Sequence, residues 1–118
     1  MNAKIYSKRK DRLRISTQVP DTTWQSEVQE GLTLMDFWAP WCGPCRMLGP
    51  VLEEIEEEMD DKVKIVKLNI DENQMTASQF GIMSIPTMVL FKDGQPVEKL
   101  TGYHPKDVLV DYLESKLA

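Results

Sequence analysis

The chain has 118 residues, of which 42% are hydrophobic and 28% are charged, and its formal net charge at pH 7 is −5. This length and composition fit one globular domain with a buried core, and no run approaches the roughly 18 consecutive apolar residues of a membrane span. The first residues lack the apolar stretch of a secretory signal, so we expect a cytoplasmic protein in which cysteines serve chemistry or metal binding before structural cross-linking.

Charge is unevenly distributed along the chain. Up to Arg14 there are six cations and one anion, which gives +5, whereas the remaining eight cations and eighteen anions give −10. A basic arm on an acidic domain can touch nucleic acid or a membrane surface, or serve as a transit peptide, but a solvated, disordered terminus is the simplest interpretation. We therefore expect residues 1–12 to be a basic extension, residues 13–118 to be the domain, and neither nucleic acid nor a membrane to be a partner.

The predicted elements alternate between strands and helices. In chain order, the pattern predicts a short strand over 13–16, a helix over 24–30, a strand over 33–38, a helix over 43–59, a strand over 63–70, a helix over 71–80, strands over 87–91 and 97–101 joined by a hairpin, and a last helix from Pro105. The early alternation implies parallel crossovers, and the hairpin adds an antiparallel edge. We expect an α/β fold with one mixed sheet of about five strands, flanked on both faces by about four helices.

Several local expectations accompany these elements. Asp21, Thr22 or Thr23 is expected to cap the first helix and Asp71 the third, while Pro50 is expected to kink the second. The second helix is expected to turn five glutamates to solvent: Glu53, Glu54, Glu56, Glu57 and Glu58. The last helix is expected to bury one stripe: Val108, Leu109, Tyr112, Leu113 and Leu117.

Cys42 and Cys45 are the two cysteines of the chain, and Gly43 and Pro44 separate them. A zinc site needs about four ligands, and the chain adds only the distant His104, so the pattern does not favour a metal. A structural disulfide across so short a loop constrains the unfolded chain little. A Cys-x-x-Cys motif at a strand–helix junction is instead typical of a redox-active dithiol.

The predicted position of the dithiol indicates how it would react. Free N–H groups and the dipole at a helix start stabilise an anion, so we expect the pKa of the Cys42 thiol to be lowered and its thiolate to attack a disulfide. Cys45 lies close to one helical turn further on, where its sulfur can attack the mixed disulfide from within the molecule. The Gly-Pro spacer carries no cation that would favour the thiolate further, which indicates a reductant.

The segment Trp41-Cys42-Gly43-Pro44-Cys45 resembles the active-site motif of thioredoxins. The resemblance covers about residues 13–118, and it includes Asp36-Phe37-Trp38-Ala39, Lys67-Leu68-Asn69-Ile70-Asp71, Ile85-Pro86-Thr87 and Phe91-Lys92-Asp93-Gly94. It implies a thioredoxin fold and a monomeric, general protein-disulfide reductase that needs no bound cofactor or metal. It also implies that NADPH recharges the dithiol through thioredoxin reductase, and that the targets are disulfide-containing proteins such as ribonucleotide reductase, peroxiredoxins or methionine sulfoxide reductase.

An aspartate interrupts the apolar strand over 33–38. Leu34, Asp36 and Trp38 alternate onto one face, and a lone aspartate in a strand is typical of an edge or a turn. In a central strand covered by a helix, burial raises the pKa of the carboxyl group, which can then take a proton from Cys45 and return it. The resemblance implies this role for Asp36 and a place beside it for Lys67, which the strand pattern alone leaves as an outward lysine.

Pro86 precedes the apolar strand over 87–91. The residues alone leave open a cis Ile85–Pro86 bond or an ordinary proline where a strand starts. The resemblance implies the cis form, in a loop that faces the dithiol and offers the Ile85 backbone to an extended substrate segment. We expect an apolar binding rim around Cys42, made by Trp41, Ile82, Ile85, Pro86, Gly102 and Tyr103.

The sequence departs from the usual thioredoxin pattern at Met83, Ser84 and Tyr103, which puts the fine shape of the binding rim in question. Two other functions fit the same residues. An oxidase or isomerase of protein disulfides uses similar chemistry, although the Gly-Pro spacer and the missing secretory signal argue against it. A non-catalytic binding module would use the binding rim alone and would survive replacement of both cysteines by serine.

Overall fold

The computed structural model describes residues 17–117. The basic extension predicted for residues 1–12 and the strand predicted over 13–16 lie outside the described residues. The described elements are β1 (Thr17–Gln18), α1 (Trp24–Glu27), β2 (Leu32–Trp38), α2 (Gly43–Glu58), β3 (Val63–Asn69), α3 (Gln74–Gln79), β4 (Thr87–Lys92), β5 (Gln95–Thr101) and α4 (Lys106–Leu117). Within this range, no helix is long and apolar enough to cross a membrane.

The strands form one mixed sheet in the order β1-β3-β2-β4-β5. β3 runs parallel to β1 and β2, whereas β4 runs antiparallel to β2 and β5. β2 is therefore the central strand, and residues 32–37 are all buried. The predicted mixed sheet with flanking helices is confirmed.

The two faces of the sheet carry separate apolar layers. On one face, α2 and α4 bury Leu48, Leu52 and Leu109, among others, against alternating residues of β2, β3 and β4. On the other face, α1 and the end of α3 bring Trp24 and Phe80 against the remaining strand residues. Because side chains alternate along a strand, Asp36 lies on the face that α2 and α4 cover.

The hairpin between β4 and β5 follows from two residues. Asp93 and Gly94 both have positive φ, at 50° and 88°, which a type I′ hairpin turn requires and which Asp-Gly adopts readily. The turn is also tied to the start of β2, because Asp93 Oδ1 accepts the Gly31 N–H at 2.8 Å. The predicted hairpin is confirmed.

The helix-cap prediction holds in position for α1, where Thr23 is one of the three candidates, and was wrong for α3. Thr23 occupies the cap position of α1 but makes no side-chain cap hydrogen bond, and Asn73 rather than Asp71 precedes α3. Asp21 instead caps α3 from a distance: its carboxylate accepts the N–H groups of Met75 and Thr76 at 3.3 and 2.9 Å. The loop before α1 is thereby fastened to the start of α3.

Three exposure predictions also failed. Glu56 is buried, because spacing of four residues places it in line with Leu48 and Leu52, and it accepts the Ile65 N–H at 3.3 Å. Val108 and Leu117 are 47% and 39% exposed. Val108 is rotated by about 100° from the buried Leu109, and Leu117 is the last residue of α4, which accounts for their exposure.

Candidate active site

The two cysteines lie where β2 gives way to α2. Cys42 is the N-cap residue of α2 and has extended backbone geometry, and Pro44 stands in the first turn. The two cysteines form a disulfide with their Cα atoms 5.2 Å apart. The Cys45 N–H points at Cys42 Sγ at 3.2 Å, so a free backbone donor of the helix start meets the sulfur. This arrangement stabilises negative charge on Cys42 when the disulfide opens.

The dithiol sits in a small apolar cluster of its own. Ala39, Cys42 and Cys45 are buried together, and Trp38, Ile70 and Ile85 pack against them. The exposed fractions of Cys42 and Cys45 are 5% and 3%, so burial hardly distinguishes the two residues in the disulfide form. A sulfur from another molecule can therefore reach this disulfide only by close contact with the surrounding surface.

Asp36 and Lys67 face each other on neighbouring strands. They are direct partners in the parallel register of β2 and β3, and Lys67 Nζ lies 3.9 Å from Asp36 Oδ2. The same ammonium group lies 4.9 Å from the centre of the Trp38 ring. Gly49 of α2 lies close to it: a Cβ there would stand 3.6 Å from Lys67 Nζ, in ordinary van der Waals contact. The lysine is thus buried rather than outward.

The environment of Asp36 perturbs its ionisation. The side chain is fully buried, and among residues 17–117 neither carboxylate oxygen has a hydrogen-bond partner. Desolvation raises the pKa of Asp36 to about 7, against the opposing attraction of Lys67. A carboxyl group with this pKa exchanges its proton near neutral pH.

The loop before β4 approaches the dithiol. The Ile85–Pro86 bond is cis, and the Ile85 carbonyl oxygen lies 3.7 Å from Cys42 Sγ. The Pro86 carbonyl accepts the Gly102 N–H at 2.8 Å, which ties this loop to the end of β5. Gly102 has a φ of 92°, a conformation that side chains disfavour. The structure therefore brings Cys42, Ile85, Pro86 and Gly102 together.

The remaining residues of the predicted binding rim are partly or largely exposed. Trp41 is 66% exposed and Tyr103, which follows Gly102, is 40% exposed, while Ile82 and Ile85 are half-buried. Pro86 is buried, so it can shape the loop but offers little surface. Gly43 and Pro44 are exposed beside the disulfide.

Sequence reasoning missed two residues of the site. Ile70 packs against the dithiol, and the Asp71 carboxylate accepts the Trp41 indole N–H at 3.0 and 3.2 Å. Both residues follow β3, whose end is aligned with the end of β2 through the pairing of Trp38 and Asn69. Since functional loops of such sheets gather at the carboxyl ends of strands, this alignment was the available signal.

The described part of the chain contains no group of three or more histidines, cysteines, aspartates or glutamates placed to hold a metal ion. What the fold and the site define together is a thiol–disulfide oxidoreductase: a dithiol at a helix start, a buried acid on the strand that leads to it and a cis-proline loop beside it. Its redox centre is the Cys42–Cys45 disulfide.

Comparison with known proteins identifies the family. The family model described as thioredoxin matches residues 15–115. The chain is 53% identical over 97 residues to the thioredoxin of Bacillus subtilis, covering 82% of this chain and 93% of that protein. It is 55% identical over 92 residues to the thioredoxin of Listeria monocytogenes, covering 78% and 89%. It is 49% identical over 100 residues to that of Staphylococcus saprophyticus, covering 85% and 96%. The chain belongs to the thioredoxin family, and it is a protein-disulfide reductase whose partners are, in general, thioredoxin reductase and disulfide-containing proteins.

Proposed function

We propose that Cys42 attacks the partner disulfide and that Cys45 completes the exchange. The Cys42 thiolate bonds to one partner sulfur, and the other partner sulfur leaves as a thiolate and takes up a proton. Cys45, deprotonated in turn, attacks Cys42 and releases the second partner sulfur, so that two electrons pass to the partner and Cys42–Cys45 closes. The observation that carries this assignment is the N-cap position of Cys42, with the Cys45 N–H directed at its sulfur at 3.2 Å.

Asp36 is proposed as the group that accepts the Cys45 proton. It lies on the sheet face that α2 covers, the helix that carries Cys45, and its pKa of about 7 suits proton exchange near neutral pH. Lys67 acts as a positioning residue, because its ammonium group attracts the Asp36 carboxylate from 3.9 Å and limits the rise of its pKa.

Partner proteins are proposed to dock on the binding rim. An extended partner segment would pair with the Ile85 backbone, whose carbonyl lies 3.7 Å from Cys42 Sγ. Trp41 would cover the segment from the other side of the dithiol, with its indole held by Asp71. Ile82, Pro86, Gly102 and Tyr103 would shape the remaining surface. The large exposed fraction of Trp41 supports this role, since docking would remove the apolar surface of this aromatic side chain from water.

The wider setting is part of the same proposal. NADPH, through thioredoxin reductase, would reopen the Cys42–Cys45 disulfide, and the targets would include ribonucleotide reductase, peroxiredoxins or methionine sulfoxide reductase. A reductant recharged in this way works in the cytoplasm, where proteins keep their thiols reduced. The domain is proposed to span residues 13–118 and to act as a monomer.

The test is NADPH oxidation by thioredoxin reductase in the presence of insulin, whose disulfides serve as the protein substrate. We expect NADPH consumption to require this protein, and Cys42→Ser and Cys45→Ser each to abolish it. Met75→Leu, at an exposed site on α3 that is not part of the predicted binding rim, is the control and should keep full activity. If insulin reduction persists in either serine variant, the assignment of the dithiol is wrong. If it does not occur with the unchanged protein, the proposal is wrong and docking without catalysis is the remaining use of the binding rim.

A further inference from the structure

Met83 is the most exposed of the large apolar side chains in the described part of the chain, at 95%. It lies between Ile82 of the binding rim and Ser84, two residues before the Ile85 carbonyl that contacts Cys42 Sγ. Met35, Met59 and Met88 are buried in the core, at 0%, 6% and 0%. Met83 therefore does not serve packing, and it stands at the edge of the surface that partners would cover.

The backbone around Met83 is held in place. The Ile82 N–H donates to the Ala77 carbonyl at 2.9 Å, and the Thr87 hydroxyl donates to the Ser84 carbonyl at 2.7 Å. The loop is fastened again where Gly102 donates to Pro86. An exposed thioether is thus presented on a fixed loop, two residues before Ile85, whose backbone would pair with a partner.

We propose that Met83 is a docking residue whose oxidation by hydrogen peroxide weakens partner binding. The inference rests on the proposed docking function of the binding rim. The sulfur of Met83 loses two electrons and gains an oxygen atom, one O–O bond breaks, and peroxide is reduced to water. The product, a sulfoxide, is polar and is restored by methionine sulfoxide reductases.

The physical effect follows from the chemistry of the side chain. A methionine thioether is apolar, flexible and adaptable, which suits a surface that meets many different partners. A sulfoxide in the same place must be desolvated on docking, so binding weakens while the Cys42–Cys45 exchange itself is unaffected. We therefore expect KM for a protein disulfide to rise about fivefold with kcat unchanged, as for a loss of uniform binding.

The experiment compares the full-length protein with single variants before and after peroxide. The protein is treated in its disulfide form, so that the cysteines are protected, and peroxide is then removed. Peptide mass spectrometry locates the sulfoxide, and insulin reduction with thioredoxin reductase gives kcat and KM. Met83→Leu removes the oxidisable sulfur from the loop, and Met75→Leu removes an exposed thioether, 76% exposed, at the start of α3. Each variant is compared with its own untreated sample.

Peroxide should raise KM about fivefold in the unchanged protein and in Met75→Leu, and should leave KM of Met83→Leu unchanged. Met83→Gln, which is polar without oxidation, should show the raised KM before any treatment. The inference is overturned if the Met83 sulfoxide leaves KM unchanged, or if peroxide raises KM of Met83→Leu as much as it raises KM of the unchanged protein. Failure of the untreated protein to reduce insulin would instead contradict the proposed function itself, and with it the basis of this inference.

Discussion

Replacement of Asp36 by asparagine should change how the free energy of unfolding depends on pH. Folding raises the pKa of Asp36 from 3.8 to about 7, which at 1.36 kcal/mol per pH unit amounts to about 4 kcal/mol. The unfolded chain gives up this proton near pH 3.8, whereas the folded protein keeps it to about pH 7. Between these values the unfolded state binds fewer protons, so this residue lowers stability as pH rises and has its full destabilising effect above about pH 8.

The assay is urea unfolding of the disulfide form of both proteins at several pH values from 3.5 to 8.5. The free energy of unfolding of Asp36→Asn, relative to that of the unchanged protein, should increase by about 4 kcal/mol from pH 3.5 to pH 8.5, because asparagine does not titrate. The buried amide of the variant changes the free energy of unfolding by the same amount at every pH, so it does not affect the pH dependence of the difference between the two proteins. Asp107→Asn, at an exposed site on α4, controls for the loss of a carboxylate. A stability difference that stays constant across this range would refute the reasoning.

Three further predictions concern the same framework. Lys67→Met should raise the pKa of Asp36 above about 7, because the attraction that lowers it is lost; a carbon-13 carboxyl titration that shows no rise would contradict this. Asp36→Asn should slow the release of reduced product about a hundredfold while mixed-disulfide formation changes much less, and equal slowing of both steps in stopped-flow traces would contradict the proposed proton transfer. Asp21→Ala should lower the free energy of unfolding by about 1 kcal/mol at pH 7, with Thr22→Ala as the control. Desolvation raises the pKa of Asp21, but the hydrogen bonds from Thr76 and Met75 lower it on balance. The stability lost in Asp21→Ala should therefore shrink as pH falls below 3.8, the ordinary pKa of the carboxyl group. A loss of stability that grows on acidification would contradict this.

Most of the fold was predictable because it depends on local periodicity. The alternation of Leu34, Asp36 and Trp38 places Asp36 on one face of β2, and the sheet order then buries it between that strand and α2. The Asp93–Gly94 turn needs only its own two residues. Such features depend on the sequence nearby and not on which distant element is packed against it.

The missed features depend on distant partners. Asp21 looks like a cap for α1, yet it bonds to Thr76, 55 residues away, because the sheet order brings the two loops together. Asp71 looks like a cap for α3 but accepts the Trp41 indole N–H instead. Glu56 looks like its solvated neighbours in the sequence, because all five residues are glutamates, yet it is the one that is buried. Sequence patterns indicate which face a residue takes, but not which polar group meets it there.

The attack of Cys42 on the partner disulfide is the central step of the proposed exchange, and a trapping measurement tests it. Each cysteine is replaced singly by serine, the variant is mixed with insulin, and covalent adducts are measured by intact mass under non-reducing conditions. Cys45→Ser should accumulate a mixed disulfide through Cys42, since the sulfur that would release the partner is missing, whereas Cys42→Ser should form none. An adduct that accumulates through Cys45 in Cys42→Ser, with none in Cys45→Ser, would contradict the assignment.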